Sequence, residues 1–220
     1  MAYPTRVLLL GIIVLSGSPF LRAQEGSDWT LKKEEDGIRV YLREADDSKI
    51  REVRIVMEVE ASLSAVVAVL RDPDAYMHWV YKCAESRLLG EGGRRECRYY
   101  SRIDFPWPLR DRDLVAYSRL RQNPDTRRIV IRTVATEDDR LPEREDAVRI
   151  AAMESRWILT PLANGRVRME NEIWSDPGGS LPAWLVNVAV DKGPTQTMAR
   201  LRQRLRDQKY LSAQVDYIKH

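Results

Sequence analysis

The sequence predicts an α+β domain in which a curved antiparallel β-sheet grips a long C-terminal α-helix. Between about residues 82 and 175, short runs alternate apolar and polar side chains, which is the period of half-buried strands. Turn-forming residues separate these runs. The C-terminal stretch has helical spacing instead, and the apolar face of an antiparallel sheet requires a covering layer of this kind.

Two or three strands and one or two small helices are predicted before the main run of strands. Residues 38–43 and 51–59 alternate as strands, with a turn at 46–48 between them. Residues 62–70 have helical spacing, and Ser62 is the expected N-cap. A short helix carrying Tyr76 and Trp79 follows.

Six further strands are predicted at 82–89, 95–104, 113–121, 127–136, 148–160 and 166–175. Asn164-Gly165 predicts a tight hairpin, because both residues tolerate positive φ. A loop at 90–93 places Cys83 opposite Tyr100 rather than Cys97. This register disfavours a disulfide between the cysteines, although a β-bulge would shift it.

The C-terminal helical region is predicted to begin at Ser180 and to break at Gly193-Pro194, because proline removes a helical hydrogen bond. The second part places Met198, Leu201 and Leu205 on one face.

The N-terminus resembles an export signal. Residues 1–23 carry a basic residue, an apolar run too short to span a bilayer and a turn-rich tail. We expect cleavage before Gln24 and a periplasmic or secreted protein, with an uncleaved anchor as the alternative. The domain then covers residues 24–212, and residues 213–220 form a C-terminal tail.

Composition and motifs exclude several function classes. Without residues 1–23, the basic residues nearly balance the 33 acidic ones, so the charge indicates no nucleic-acid partner. The two histidines and two cysteines lack metal-site spacing, and nucleophile, phosphate-loop and zinc motifs are missing. We predict no catalytic residues, no metal and no cofactor.

Two segments indicate a family. Residues 106–114 (PWPLRDRDL) form a proline-stiffened apolar loop running into a charged corner, and residues 176–187 (DPGGSLPAWLVN) form a tight turn that opens the helical region. In this order, they resemble the START (steroidogenic-acute-regulatory-related lipid transfer) domains of bacteria. The resemblance implies the helix-grip fold, with a hydrophobic cavity between sheet and helix that holds one sterol, phospholipid or similar lipid.

Site residues are inferred from the predicted inward faces and from this resemblance. Those expected to bind lipid are Met57, Tyr99, Ser101, Ile131, Met153, Trp157, Met169, Asn171, Trp184, Val188 and Met198. The resemblance assigns Phe105, Trp107 and Leu109 to a gate loop that closes the cavity. The apolar side chains of this loop also suit transient contact with a membrane, unless Trp107 folds onto the domain. Arg112 and Asp113 are expected to form a structural ion pair rather than a headgroup contact.

Two alternatives remain open from the sequence. Helix-grip relatives include aromatase/cyclase enzymes, whose chemistry would need an acid–base group in the cavity, such as Tyr99 or Glu154. A lipid-sensing module acting through a protein partner is the other. An ordinary packed core would also give the same alternating faces.

Overall fold

A computed structural model describes residues 29–44, 51–179, 181 and 192–220. The strands are β1 (Thr30–Glu35), β2 (Ile38–Glu44), β3 (Arg51–Glu60), β4 (Cys83–Gly93), β5 (Glu96–Ile103), β6 (Asp111–Gln122), β7 (Ile129–Ala135), β8 (Ala147–Arg149), β9 (Ala152–Pro161) and β10 (Arg166–Asp176). The helices are α1 (Leu63–Leu70), α2 (Gly193–Arg204) and α3 (Gln208–Leu211), with a 3₁₀ helix at Pro73–His78.

The strands form one sheet in the order β1-β2-β3-β10-β9-β7-β6-β5-β4, with β8 pairing β6 off this path. Every pairing is antiparallel except that of β6 with β8. The predicted α+β architecture is therefore confirmed, and it follows the antiparallel curved sheet and C-terminal helix of the helix-grip fold.

The core lies between α1, α2 and the face of the sheet that we call the inner face. Met198 and Leu201 of α2 are fully buried in one cluster with Met57, Leu159 and Met169 of the sheet. In α1, seven of the eight residues are buried, and the hydroxyl of Ser62 accepts a hydrogen bond from the Ala65 N–H at 3.0 Å. The predicted cap of this helix is confirmed.

The hairpin prediction at Asn164-Gly165 is also confirmed. Both residues have positive φ, 61° and 71°, and the turn joins β9 to β10 with Pro161 opposite Val167. The tight connection fixes the register of two central strands. Residues that lie opposite each other in β9 and β10 therefore point to the same face of the sheet.

The predicted strand at 148–160 is wrong as one element. Residues 147–149 form β8, which runs parallel to the start of β6, and β9 begins only at Ala152. Strand β6 begins at Asp111, but β7 pairs with it only from Ala116 onward. The first residues of β6 therefore have an edge that β7 does not cover. The chain therefore fills the open side of β6 before turning into β9.

The predicted pairing of Cys83 with Tyr100 is wrong. Cys83 lies opposite Ile103, because the β4–β5 turn falls between Gly93 and Glu96 rather than at 90–93, and irregularities interrupt the ladder. Both cysteines are buried thiols without a disulfide.

The tail at 213–220 packs into the domain. Ile218 is 6% exposed within the main core, and the Tyr217 hydroxyl accepts a hydrogen bond from the Arg71 guanidinium at 2.9 Å. The main chain of Lys219 makes two hydrogen bonds with the Gln122 side chain. The residues after α3 thus close one end of the sheet.

Three sequence predictions fall outside the described residues: the export signal at 1–23, the turn at 46–48 and the first part of the C-terminal helix. That part is predicted to begin at Ser180 and to carry Trp184 and Val188. The second part of that helix is described and begins at Gly193, the predicted break. In the described ranges, we find no helix that has both the length and the apolar character to span a membrane.

Candidate functional site

The candidate site is the part of the inner face that continues beyond the packed core. Strand register shows which predicted residues share it: Asn171 lies opposite both Ile55 and Trp157, and Trp157 lies opposite Ile131. Met169 lies opposite Met57. The same parity brings the following onto this face: Met57, Tyr99, Ser101, Ile131, Met153, Trp157, Met169 and Asn171.

Burial divides these residues into two zones. Met57, Met169 and Met198 are at most 1% exposed and belong to the packed core beneath α2. Met153 and Trp157 are only partly buried, although they lie on the same strand as fully buried Leu159. The inner face is therefore packed at one end and less tightly covered toward the other. The lipid contacts assigned to these residues stay predictions.

A row of small polar side chains crosses the inner face where the packed zone ends. Ser118 of β6 lies opposite Thr133 of β7, which lies opposite Ser155 of β9. Thr133 donates a hydrogen bond to Ser118 at 3.1 Å, and the Asn171 amide donates one to Ser155 at 3.0 Å. We call Ser118, Thr133, Ser155 and Asn171 the polar row. The sequence prediction contained only Asn171 of these four as a site residue.

Aromatic rings stand beside the polar row. The Tyr76 ring meets the Trp79 ring at 5.2 Å and the Tyr99 ring at 5.3 Å between centroids, both edge to face. Burial raises the pKa of the Tyr76 and Tyr99 hydroxyls well above 10. Both tyrosines therefore stay protonated and uncharged at neutral pH, so neither supplies a base.

Glu154 lies on the opposite side of the sheet. It alternates with inner-face Met153 and Ser155 along β9, so its side chain points away from the inner face. Arg132 holds it with two hydrogen bonds, which lower the pKa of the carboxyl group. The hypothesis that Glu154 acts as an acid–base group in the cavity is wrong.

The predicted ion pair between Arg112 and Asp113 is also wrong. Neighbouring strand residues point to opposite faces, so the two side chains diverge. Asp113 accepts two hydrogen bonds from Arg149, at 2.8 and 3.0 Å. The Arg112 guanidinium instead donates to the main-chain carbonyls of Arg110, Pro177 and Gly178. Each residue has a structural role, but the two residues bind different partners.

Arg112 joins the two segments that first indicated the family. Its three hydrogen bonds connect the end of the 105–110 loop with the turn at Pro177-Gly178. The guanidinium carbon lies 4.7 Å from the centre of the Phe105 ring, and the arginine is 4% exposed. Burial lowers the pKa of its guanidinium. The loop and the turn are therefore fastened to each other at the end of the inner face.

The predicted gate loop presents one fully exposed aromatic ring. Trp107 is 91% exposed, whereas Phe105 and Leu109 are partly buried. The Phe105 N–H donates to the Asp111 carboxylate at 3.0 Å, and the Leu109 N–H donates to the Pro106 carbonyl at 3.0 Å. These bonds hold the base of the loop while the indole projects into solvent.

No group of three or more potential ligands for a metal ion occurs within the described ranges. Around the polar row, the inner face carries hydroxyls, the Asn171 amide and apolar side chains, which bind by contact and hydrogen bonding.

Comparison with known proteins gives the same family as the two segments. The START domain family model matches residues 21–210. An uncharacterized protein of Pseudomonas aeruginosa is 33% identical over 175 residues, covering 80% of this chain and 85% of its own. The phosphatidylcholine transfer protein of Bos taurus is 25% identical over 178 residues, covering 78% of this chain and 81% of its own.

Solved structures agree. The STAR-related lipid transfer protein of Xanthomonas axonopodis has a TM-score of 0.74 and 35% identity, covering 82% of this chain and 100% of the solved one. Human StAR-related lipid transfer protein 5 shares the fold, with a TM-score of 0.73 at 16% identity, covering 83% of this chain and 88% of its own. With its family model matched along most of its length and its fold shared with lipid transfer proteins, this chain belongs to the START domain family.

Proposed function

We propose that this protein is an exported, non-enzymatic lipid-transfer protein that holds one hydrophobic lipid against the inner face of its sheet. The observation that carries the proposal is the partly buried zone of that face, where Trp157 packs against the edge of the core and Met153 lies beyond it. The START family and its lipid-transfer relatives support it.

The energetics favour exchange over storage. Burying a chain is worth about 0.8 kcal/mol per CH₂ relative to water. A lipid taken from a bilayer starts in an apolar medium, so the site has only to match the membrane. Such a protein releases its lipid readily into a second membrane.

The direct test is transfer of a fluorescent phosphatidylcholine between vesicles, chosen because relatives bear that name. Trp157→Ala should slow transfer severalfold because it removes a large inner-face contact. Trp174→Ala is the matched control, since this partly buried tryptophan occupies the opposite face of the neighbouring strand. Native mass spectrometry should detect one lipid per chain. A wild-type protein that stays ligand-free and transfers no lipid would refute the proposal.

We propose that Trp107 provides the transient membrane contact. The exposed indole sits on a loop that also carries two prolines and Leu109, and amphipathic rings of this kind favour the membrane interface. Trp107→Ala should weaken sedimentation with vesicles while leaving lipid occupancy unchanged. Leu211→Ala is the control, because Leu211 is also exposed, at 56%, but lies on α3. Equal loss with both variants would contradict a specific role of the loop.

Export is the part of the proposal that depends on residues 1–23. Expression of the full chain in a Gram-negative host, followed by fractionation and intact-mass measurement, should give a periplasmic protein that begins at Gln24. Retention of residues 1–23 on a membrane-bound protein would favour the uncleaved-anchor alternative instead.

A further inference from the structure

We infer that the polar row receives an uncharged oxygen of the bound lipid, such as an ester carbonyl or a hydroxyl, rather than a charged headgroup. This inference rests on the proposed lipid-binding function and adds to it the chemistry of the ligand's innermost polar group. It is carried by the position of the row, its hydrogen-bond directions and the distribution of charge around it.

The row lies in a part of the inner face where the side chains are short. On one side, Ser118, Thr133 and Ser155 border the next line of the register. That line holds the larger residues Leu120, Ile131 and Trp157 and continues into Asn171. On the other side Ala116 lies opposite Ala135. Serine, threonine and alanine side chains are short, so these positions stand lower than the apolar residues beside them. Tyr99 lies opposite Ala116, and the Tyr76 ring packs against the same cluster and borders these positions. A ligand group that enters here meets hydroxyls.

The internal hydrogen bonds leave the row able to donate. Ser155 accepts from the Asn171 amide and keeps its own hydroxyl proton for another acceptor. Ser118 and Thr133 share one bond between two hydroxyl groups, so this pair also keeps a proton to donate. Ser118 and Thr133 are at most 8% exposed. Because buried donors are normally paired, an oxygen acceptor on the ligand is the complementary group. A ligand hydroxyl could also donate to the Asn171 carbonyl oxygen.

The charge distribution excludes an ionic group at this place. In β6, β7, β9 and β10, which carry the row, Arg112 is the one charged residue at an inner-face position. It precedes Ser118 by six residues, roughly 20 Å along an extended strand. A phosphate or carboxylate at the row would therefore lose its hydration without gaining a counter-charge, which is costly. An uncharged oxygen has no such penalty.

The test is a competition between matched lipids, read by native mass spectrometry of the full-length mature protein. One pair is phosphatidylcholine with ester-linked or ether-linked chains of equal length; the other is a sterol with or without its hydroxyl group. In one of the two pairs, the wild type should bind the lipid that carries the ester carbonyl or the hydroxyl group about tenfold more tightly, which is the scale of one good hydrogen bond. Preference within the first pair identifies a glycerolipid, and preference within the second identifies a sterol.

Ser155→Ala should abolish most of that preference. Asn171 keeps a hydrogen bond to the Arg156 carbonyl when Ser155 is truncated, so this variant should fold normally. Thr160→Val is the control, because it removes a hydroxyl from the opposite face of the same strand. Ser118→Ala provides a second variant within the row, and thermal unfolding verifies the fold of each.

Two outcomes separate this inference from the proposed function. Lipid binding without preference in either pair, or a preference that both Ser155→Ala and Ser118→Ala retain, would overturn the role of the row while lipid transfer stands. A wild-type protein that binds none of the four lipids would refute the proposed function and the inference with it.

Discussion

At the scale of single residues, long-range partners decide what the charged corner does. Arg112 and Asp113 are adjacent in sequence, yet Asp113 pairs with Arg149, 36 residues later, and Arg112 binds carbonyls of the turn after β10. Sequence indicated a structural role for both residues. It could not identify the partners, because these depend on β8 running beside β6.

The buried pair of Asp113 with Arg149 should be important for stability. The Asp113 side chain is fully buried and that of Arg149 is 13% exposed. Asp113→Asn should lower the free energy of unfolding by about 3–5 kcal/mol, since it leaves a buried cation without its counter-charge. The double variant with Arg149→Gln should lose less than the sum of the single changes. Chemical denaturation measures all three, and additive losses would contradict coupling. Exposed Asp146→Asn should have little effect.

Tyr100 should make stability sensitive to alkaline pH. Burial, together with the negative charge of Asp113, raises the pKa of its hydroxyl from 10.0 to about 12. A raised pKa in the folded state means that the neutral form is stabilised by folding, so this contribution is complete below pH 10 and is lost between pH 10 and about 12. Denaturation across this range should show a smaller decline for Tyr100→Phe than for the wild type. Parallel curves would contradict the assignment.

At the scale of elements, local signals were reliable where the chain itself makes the contact. The Ser62 cap and the Asn164-Gly165 turn are formed by neighbouring residues, and both were predicted. The break between β8 and β9 was missed because alternation continues through residues 148–160 while the pairing partner changes. The β4–β5 register was missed for a related reason: several glycines offered competing turn positions.

The N-cap of α1 should contribute measurably to stability. Ser62→Ala removes the hydrogen bond to the Ala65 N–H and should cost about 1 kcal/mol, because the first turn then has an unsatisfied donor. Ser62→Asp should preserve most of the stability, since aspartate is an equally good cap. Urea denaturation distinguishes the variants. Equal loss in both would mean that the hydroxyl acts through another contact.

At the scale of the whole molecule, the inner face was predictable and its covering was only partly so. Alternation placed Ile131, Trp157 and Asn171 on one face because side chains in a strand repeat every two residues. Sequence could not show which of them α2 covers, because that depends on where the helix crosses the sheet. The packing of the tail was missed, since residues 213–220 have no strong periodicity.

The C-terminal tail should be required for a stable domain. Deleting residues 215–220 removes Ile218 from the core and exposes the apolar surface that it covers. Ile218→Ala alone should lower the free energy of unfolding by about 2–4 kcal/mol, the usual cost of truncating a buried isoleucine. Lys219→Ala, at an exposed neighbouring position, is the control. Wild-type stability of the truncated chain would contradict a structural role for the tail.

The position of β10 between β3 and β9 has a consequence for how the chain acquires its structure. Val59 pairs with Val167, so the N-terminal strands join the remaining sheet only after more than a hundred further residues have emerged. Closing so long a loop is slow and costs chain entropy. Until Arg166–Asp176 arrives, one edge of β3 lacks a neighbour and can pair with other chains. Nascent chains that stop before Arg166 are therefore expected to be the aggregation-prone species, and chaperone dependence should end once β10 is complete.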